Sequence, residues 1–178
     1  MNKQAIIAAA EKTFSACSLY CNSIPGIVFF DKPGPKWSVA ENVQHLITST
    51  NMSTLAFSLP RFVVRWISGR PNRGSRTYDQ LVEKYKKKLA EGGATSGRYI
   101  PKPITIHAGK EKLLHNWDKA TGKHLTALKN NRTEKDLDNY LVKHPLLGKI
   151  TLRELCYFTI YHTEHHLNII SSSAVTNL

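Results

Sequence analysis

Cysteine is scarce in this 178-residue chain. Its three residues, Cys17, Cys21 and Cys156, lie in helical contexts and cannot form a disulfide framework, which fits a reducing compartment. Acidic residues are also few, 13 against 25 Lys and Arg, for a formal charge of +12. No apolar run approaches the roughly 20 residues that a membrane-spanning helix needs, and Glu11 and Lys12 interrupt the apolar start before a secretory core can build. The expected location is therefore the cytoplasm, with no membrane partner. Internal repeats and low-complexity blocks are missing as well. What remains is a chain whose 41% hydrophobic composition is ordinary for a globular protein, long enough for one domain over residues 1–178.

The positive charge is unevenly placed. Residues 61–102 carry eleven Lys and Arg against Asp79, Glu83 and Glu91. Such a balance suits an anionic partner. No base-reading motif or pattern of stacking aromatics accompanies it, so a solvated basic face is the simpler reading and a nucleic-acid surface the less favoured one.

Hydrophobic spacing marks four main helices. Ile6, Ile7, Ala10, Phe14, Cys17 and Cys21 recur at helical intervals in the first, and Pro25-Gly26 closes it. An open loop is expected around residues 29–35. Ser38 and Glu41 form a capping box for a second helix over residues 39–67, which Pro60 should kink or divide. A short amphipathic stretch, opened by Thr77 with Gln80, runs to Leu89. Residues 94–108 read as an irregular connection, with Ile104-Thr105-Ile106 as a brief extended piece. The third helix spans residues 110–129, and residues 130–150 read as a polar linker. Thr151 with Glu154 caps the last helix, and the tail from Ser171 reads as frayed.

That last helix carries the chemistry. Leu152, Leu155, Thr159, His162, His166 and Ile169 form its inward seam, with two imidazoles where aliphatic side chains are expected. At i and i+4 the two rings share a face and can reach one ion, and imidazole suits zinc and nickel. His45, among the small and polar neighbours Asn42 and Ser49, faces inward on the second helix. If those helices are neighbours, His45, His162 and His166 converge on one divalent metal and leave coordination positions open. His165 lies about 100° around the helix from His166, and like Glu164 is expected on the flank. Thr163 stands where the metallopeptidase signature His-Glu-x-x-His needs Glu, so peptidase chemistry is not indicated. His107, His115 and His124 do not pair at ligand spacing and read as solvated, and Cys17 with Cys21 reads as core.

Trp37-Ser38-Val39-Ala40-Glu41-Asn42-Val43-Gln44-His45-Leu46, His144-Pro145-Leu146-Leu147-Gly148 and His162-Thr163-Glu164-His165-His166, in this order, resemble the DinB-like superfamily over essentially the whole chain. The resemblance implies an all-α four-helix bundle of up-down-down-up topology, with the long connection between the second and third helices. It also implies a metal held by His45, His162 and His166, a bacterial source and a homodimer. Members of known activity are S-transferases and isomerases that use a low-molecular-weight thiol such as bacillithiol or mycothiol; others are described as metal-dependent hydrolases. A transferase or hydrolase of a small-molecule substrate is thus expected. The alternative is a non-catalytic metal- or ligand-binding stress protein, or a basic nucleic-acid-binding module. His165 and Ile169 depart from the Arg and Gln frequent in relatives, which bears on catalysis more than on ligation.

Overall fold

The computed structural model describes residues 1–175. It is mostly helical, and the sheet found among the described residues is one two-stranded hairpin. Helix α1 (Lys3–Ser23) opens under Asn2, whose side chain accepts the Ala5 amide at 2.8 Å. Its apolar stripe, Ile6 to Cys21, is buried. The open loop expected next is partly helical: α2 (Gly26–Phe30) makes a single turn that sinks Phe29 into the core. Burial of one aromatic ring is what tips these few residues into a helix despite the flanking prolines.

Helix α3 (Val39–Ser58) starts at the capping box, with Ser38 and Glu41 each accepting the other's backbone N–H. Pro60 ends it. Leu59 is forced into extended backbone (φ −65°, ψ 145°), and α4 (Arg61–Ser68) begins afresh, so the helix predicted over residues 39–67 is two. Helix α5 (Tyr78–Ala90) carries the Thr77–Gln80 box and stops before Gly92, whose φ of 86° favours glycine. Residues 92–109 then run irregularly through two 3₁₀ turns, Gly97–Tyr99 and Ile106–Ala108. Within the extended piece predicted at Ile104-Thr105-Ile106, Thr105 is extended (φ −106°, ψ 167°), while Ile106 already begins the second 3₁₀ turn.

Helix α6 (Lys110–Asn131) follows. The polar linker predicted after it is in fact structured: α7 (Glu134–Asn139) leads into β1 (Leu141–His144) and β2 (Gly148–Thr151), paired antiparallel with Leu141 opposite Thr151. Leu137, Leu147 and Ile150 are buried and anchor the excursion. From the hairpin springs α8 (Leu152–Val175). It continues helically through residues predicted as frayed, up to Val175; the rest of that tail lies outside the described residues.

Helix α1 packs on α6 and α8, and α3 packs on the same two. Side chains tie these pairs at both ends. Ser18 donates to Asp118 at 2.7 Å, Met1 meets the Tyr157 hydroxyl at 3.2 Å, and Thr159 donates to Ser53 at 3.2 Å. His124, predicted as solvated, is buried between the rings of Phe14 and Phe57, with Nδ1 3.2 Å from the Thr54 hydroxyl. It continues the Trp117–Thr121 stripe of α6, a periodicity that overrides its polarity, and burial pushes its pKa down to about 4.

Much of the basic segment is used internally. Arg61 forks onto Asp136, and Arg65 lies 5.0 Å over the Tyr140 ring. Arg73 and Arg76 converge on the fully buried Glu154. Burial opposes ionisation of Glu154, but the Arg73 guanidinium and the Arg76 and Thr151 amides outweigh it and hold the carboxyl below its ordinary value. This node fixes where α8 begins and how it is rotated.

Candidate metal centre

Two caps aim the site. The Ser38–Glu41 box sets the phase of α3, so that Asn42, His45 and Ser49 share the face turned to α8. The Thr151–Glu154 box does the same for α8, with each partner accepting the other's amide at 3.2 Å, and places His162 and His166 on the face turned to α3.

The three predicted histidines come together. Their ligating nitrogens all lie within 4.8 Å of one another, and all three rings are buried. Nε2 of His45 and Nε2 of His162 are 3.0 Å apart. Tetrahedral zinc with bonds near 2.0–2.1 Å holds its nitrogen ligands about 3.3–3.4 Å apart, so the rings need only small shifts to take up an ion.

Hydrogen bonds to the outer nitrogens decide the tautomers. Nδ1 of His45 donates to the Tyr99 carbonyl at 2.7 Å. Nδ1 of His166 donates to Oδ1 of Asn42 at 2.7 Å, and that amide is oriented because its nitrogen donates to the Ser38 carbonyl at 2.9 Å. With both Nδ1 atoms protonated, the lone pairs of both Nε2 atoms face inward, the arrangement a metal-ligating histidine takes. Charge works the same way. Burial pushes the pKa of His162 well down, with His166 and His45 adding to it, and burial does the same to His166. For His45, burial outweighs the opposing effect of the Tyr99 carbonyl. His45 Nε2 accepts the proton of His162 Nε2 in the 3.0 Å contact; once that proton moves to Nδ1 of His162, three neutral imidazoles can donate lone pairs to one cation, and the donor set fits a divalent ion.

Aromatic rings shield the cluster. Phe158 stacks on His162 at 4.8 Å, and Trp37 lies parallel to His166 at 6.1 Å. A cavity of about 70 Å³ reaches His45 and His162. A wider cleft of about 670 Å³ reaches His166 and Asn42 on the other side, beside Lys36. Residues Ala94 and Thr95 of the irregular connection form part of the wall of both.

The neighbours divide cleanly. His165 stays outside the cluster, its ring 6.0 Å from Tyr85 and 5.3 Å from His166. Glu164 turns the other way, accepting the Tyr78 hydroxyl at 2.8 Å. Glu41 is spent on its cap and on Lys32, 3.2 Å away. The cysteines are buried and free. Cys17 is raised by its hydrogen bond with Cys21 and by burial, and burial pushes Cys156 up to about 12, so neither supplies a thiolate. Sequence reasoning missed three contributors: the Tyr99 carbonyl, which no side-chain pattern announces, Tyr85, and His144. The last was visible as a polar residue just before the Pro-Leu-Leu-Gly turn.

Among curated proteins, none matches the chain. A family model described as DinB superfamily matches residues 19–170, which takes in α3, most of α8 and all three clustered histidines. The chain is therefore a member of the DinB superfamily.

Proposed function

We propose that the protein is a metal-dependent enzyme in which His45, His162 and His166 hold one zinc or nickel ion, acting on a small molecule as a thiol-dependent S-transferase or a hydrolase. The observation that carries this reading is the pair of fixed tautomers, which turn neutral lone pairs toward a common point beside a cavity. Asn42 and the Tyr99 carbonyl orient two of the rings, while Phe158 and Trp37 keep water from much of the cluster. When bound, the ion supplies Lewis acidity to a water, a carbonyl or a thiol brought beside it. The buried cysteines cannot serve as nucleophile, so a thiol route needs a low-molecular-weight cosubstrate of the bacillithiol type. The 670 Å³ cleft has room for one.

The same proposal includes a single domain over residues 1–178, an up-down-down-up four-helix bundle and a cytoplasmic bacterial protein. Contacts of α1 with the start of α8 and the far end of α6 support the topology: Met1 meets Tyr157, and Lys3 donates to the Lys129 and Arg132 carbonyls. A homodimer is also proposed; Phe62 and Trp66, 76% and 86% exposed on α4, offer it apolar surface. Nucleic acid is the weaker partner, since Arg61, Arg73 and Arg76 are engaged by acids of the chain itself.

The test is the metal content of untagged protein by elemental mass spectrometry, beside His162→Ala and His165→Ala. A single ion per chain is expected, lost in the first variant and kept in the second. Equal loss in both would overturn the ligand assignment. Absence of metal after incubation with zinc, nickel and manganese would leave a non-catalytic bundle.

A further inference from the structure

Among the residues that line the 70 Å³ cavity beside His45 and His162 are three hydrogen-bond donors from three different elements, Ser49, Tyr85 and His144. Ser49, one turn past His45 on α3, is 8% exposed; Tyr85 of α5 is 7% exposed. Neither hydroxyl has a hydrogen-bond partner among the described residues. Both hydroxyls are therefore free to donate to a group that enters the cavity. The third donor is His144, at the end of β1. Its Nδ1 accepts the amides of Leu146 and Leu147 at 3.2 and 3.1 Å, so the ring proton sits on Nε2. No acceptor meets that Nε2 among the described residues.

We infer that this cavity binds the carboxylate of a small organic acid, with Ser49, Tyr85 and His144 as its donors and the three-His cluster beside it. The anion is favoured over a neutral or cationic group by what surrounds the cavity. No acid lines it, and Lys84, donating to the Leu147 carbonyl at 2.7 Å, stands behind the hairpin. His144 contributes a neutral donor whose direction is set by the turn and needs no reorganisation on binding. Leu89, Leu146 and Phe158 supply apolar wall for a short carbon chain. The inference rests on the proposed metal site for its place in a reaction, but its donors are independent of the ligand nitrogens.

Two substitutions separate the donor from the turn. Asn in place of His144 sets a carbonyl oxygen near Nδ1 and keeps the turn while removing the donor; Gln retains a donor near Nε2 and loses the turn acceptor. Propionate and the size-matched propionamide are titrated calorimetrically into metal-loaded wild type, His144→Asn, His144→Gln and Ser49→Ala. Propionate should bind wild type more tightly than propionamide. His144→Asn and Ser49→Ala should each weaken propionate about tenfold or more, the cost of one donor to a charged group. His144→Gln should stay within about threefold of wild type, with a lowered unfolding midpoint. Equal affinities for the two probes, unmeasurable propionate binding, or wild-type affinity in both donor-deleted variants would overturn the inference; the last is also what simple ligation of propionate to the ion predicts. Metal content of the same samples keeps the two readings apart. Bound metal with no carboxylate preference sinks only this inference, and missing metal with the preference intact sinks only the enzyme proposal.

Discussion

Oδ1 of Asn42 accepts the Nδ1 proton of His166 at 2.7 Å, joining α3 to α8 through the back of the three-His cluster. Because the Asn42 amide also bonds the Ser38 carbonyl, the rotation of a ring on α8 is governed by the cap of α3. Removal of that single acceptor, by Asn42→Ala, should weaken zinc binding about 10–100-fold while the helices stay folded. Competition with a chromogenic chelator measures this directly, and wild-type affinity would show that the contact does not orient the ligand.

Glu154 offers a test of stability away from the site. It is fully buried, while the side chains of Arg73 and Arg76 are 33% and 28% exposed. Glu154→Gln should therefore cost about 3 kcal/mol, the low end for breaking a buried pair, because the stranded guanidinium groups can reach water. Urea unfolding gives the value; a loss below about 1 kcal/mol would mean that the node contributes little beyond capping.

Acid should destabilise the protein through His124. Burial puts its folded pKa at about 4 against an ordinary value of 6.5, so below pH 6.5 the unfolded chain takes up the proton first. The associated stability is whole above pH 6.5 and is lost as the pH falls toward 4, about 2 kcal/mol of it by pH 5. In His124→Gln, which keeps a partner for Thr54 but cannot titrate there, the drop in unfolding free energy from pH 7 to pH 5 should be smaller than in wild type by about that amount. Identical drops would contradict this.

The strap between the two cavities depends on one close approach. A Cβ on Gly93 would stand 2.5 Å from the Lys88 carbonyl oxygen, backbone that cannot swing aside, and would also strike Leu146. Gly93→Ala should lower stability by about 1–3 kcal/mol and displace Ala94 and Thr95. Tyr85 and Leu89 border the same cavities, so Tyr85 resonances in NMR spectra should shift although no ligand nitrogen is altered. An unchanged spectrum with unchanged stability would count against the strap as a wall of the site.

Local chemistry accounts for what the sequence alone determined. Capping boxes at Ser38, Thr77 and Thr151 need only residues three positions apart, and the spacing of His162 and His166 guarantees a shared face in any α-helix. The end of α3 at Pro60 is equally local, since the ring removes a donor wherever it stands. Tertiary structure decided the rest. The meeting of His45 with His162 depends on α3 lying against α8, a contact between residues far apart in the chain that no local period encodes. The helical turn at Phe29, the hairpin around His144 and the burial of His124 come from apolar surface supplied by other elements, and that burial overrides the polar or turn-forming character of the segments themselves. The carbonyl of Tyr99 belongs to the same class. Every residue has one, and only the path of residues 92–109 across the bundle brings this one to a histidine.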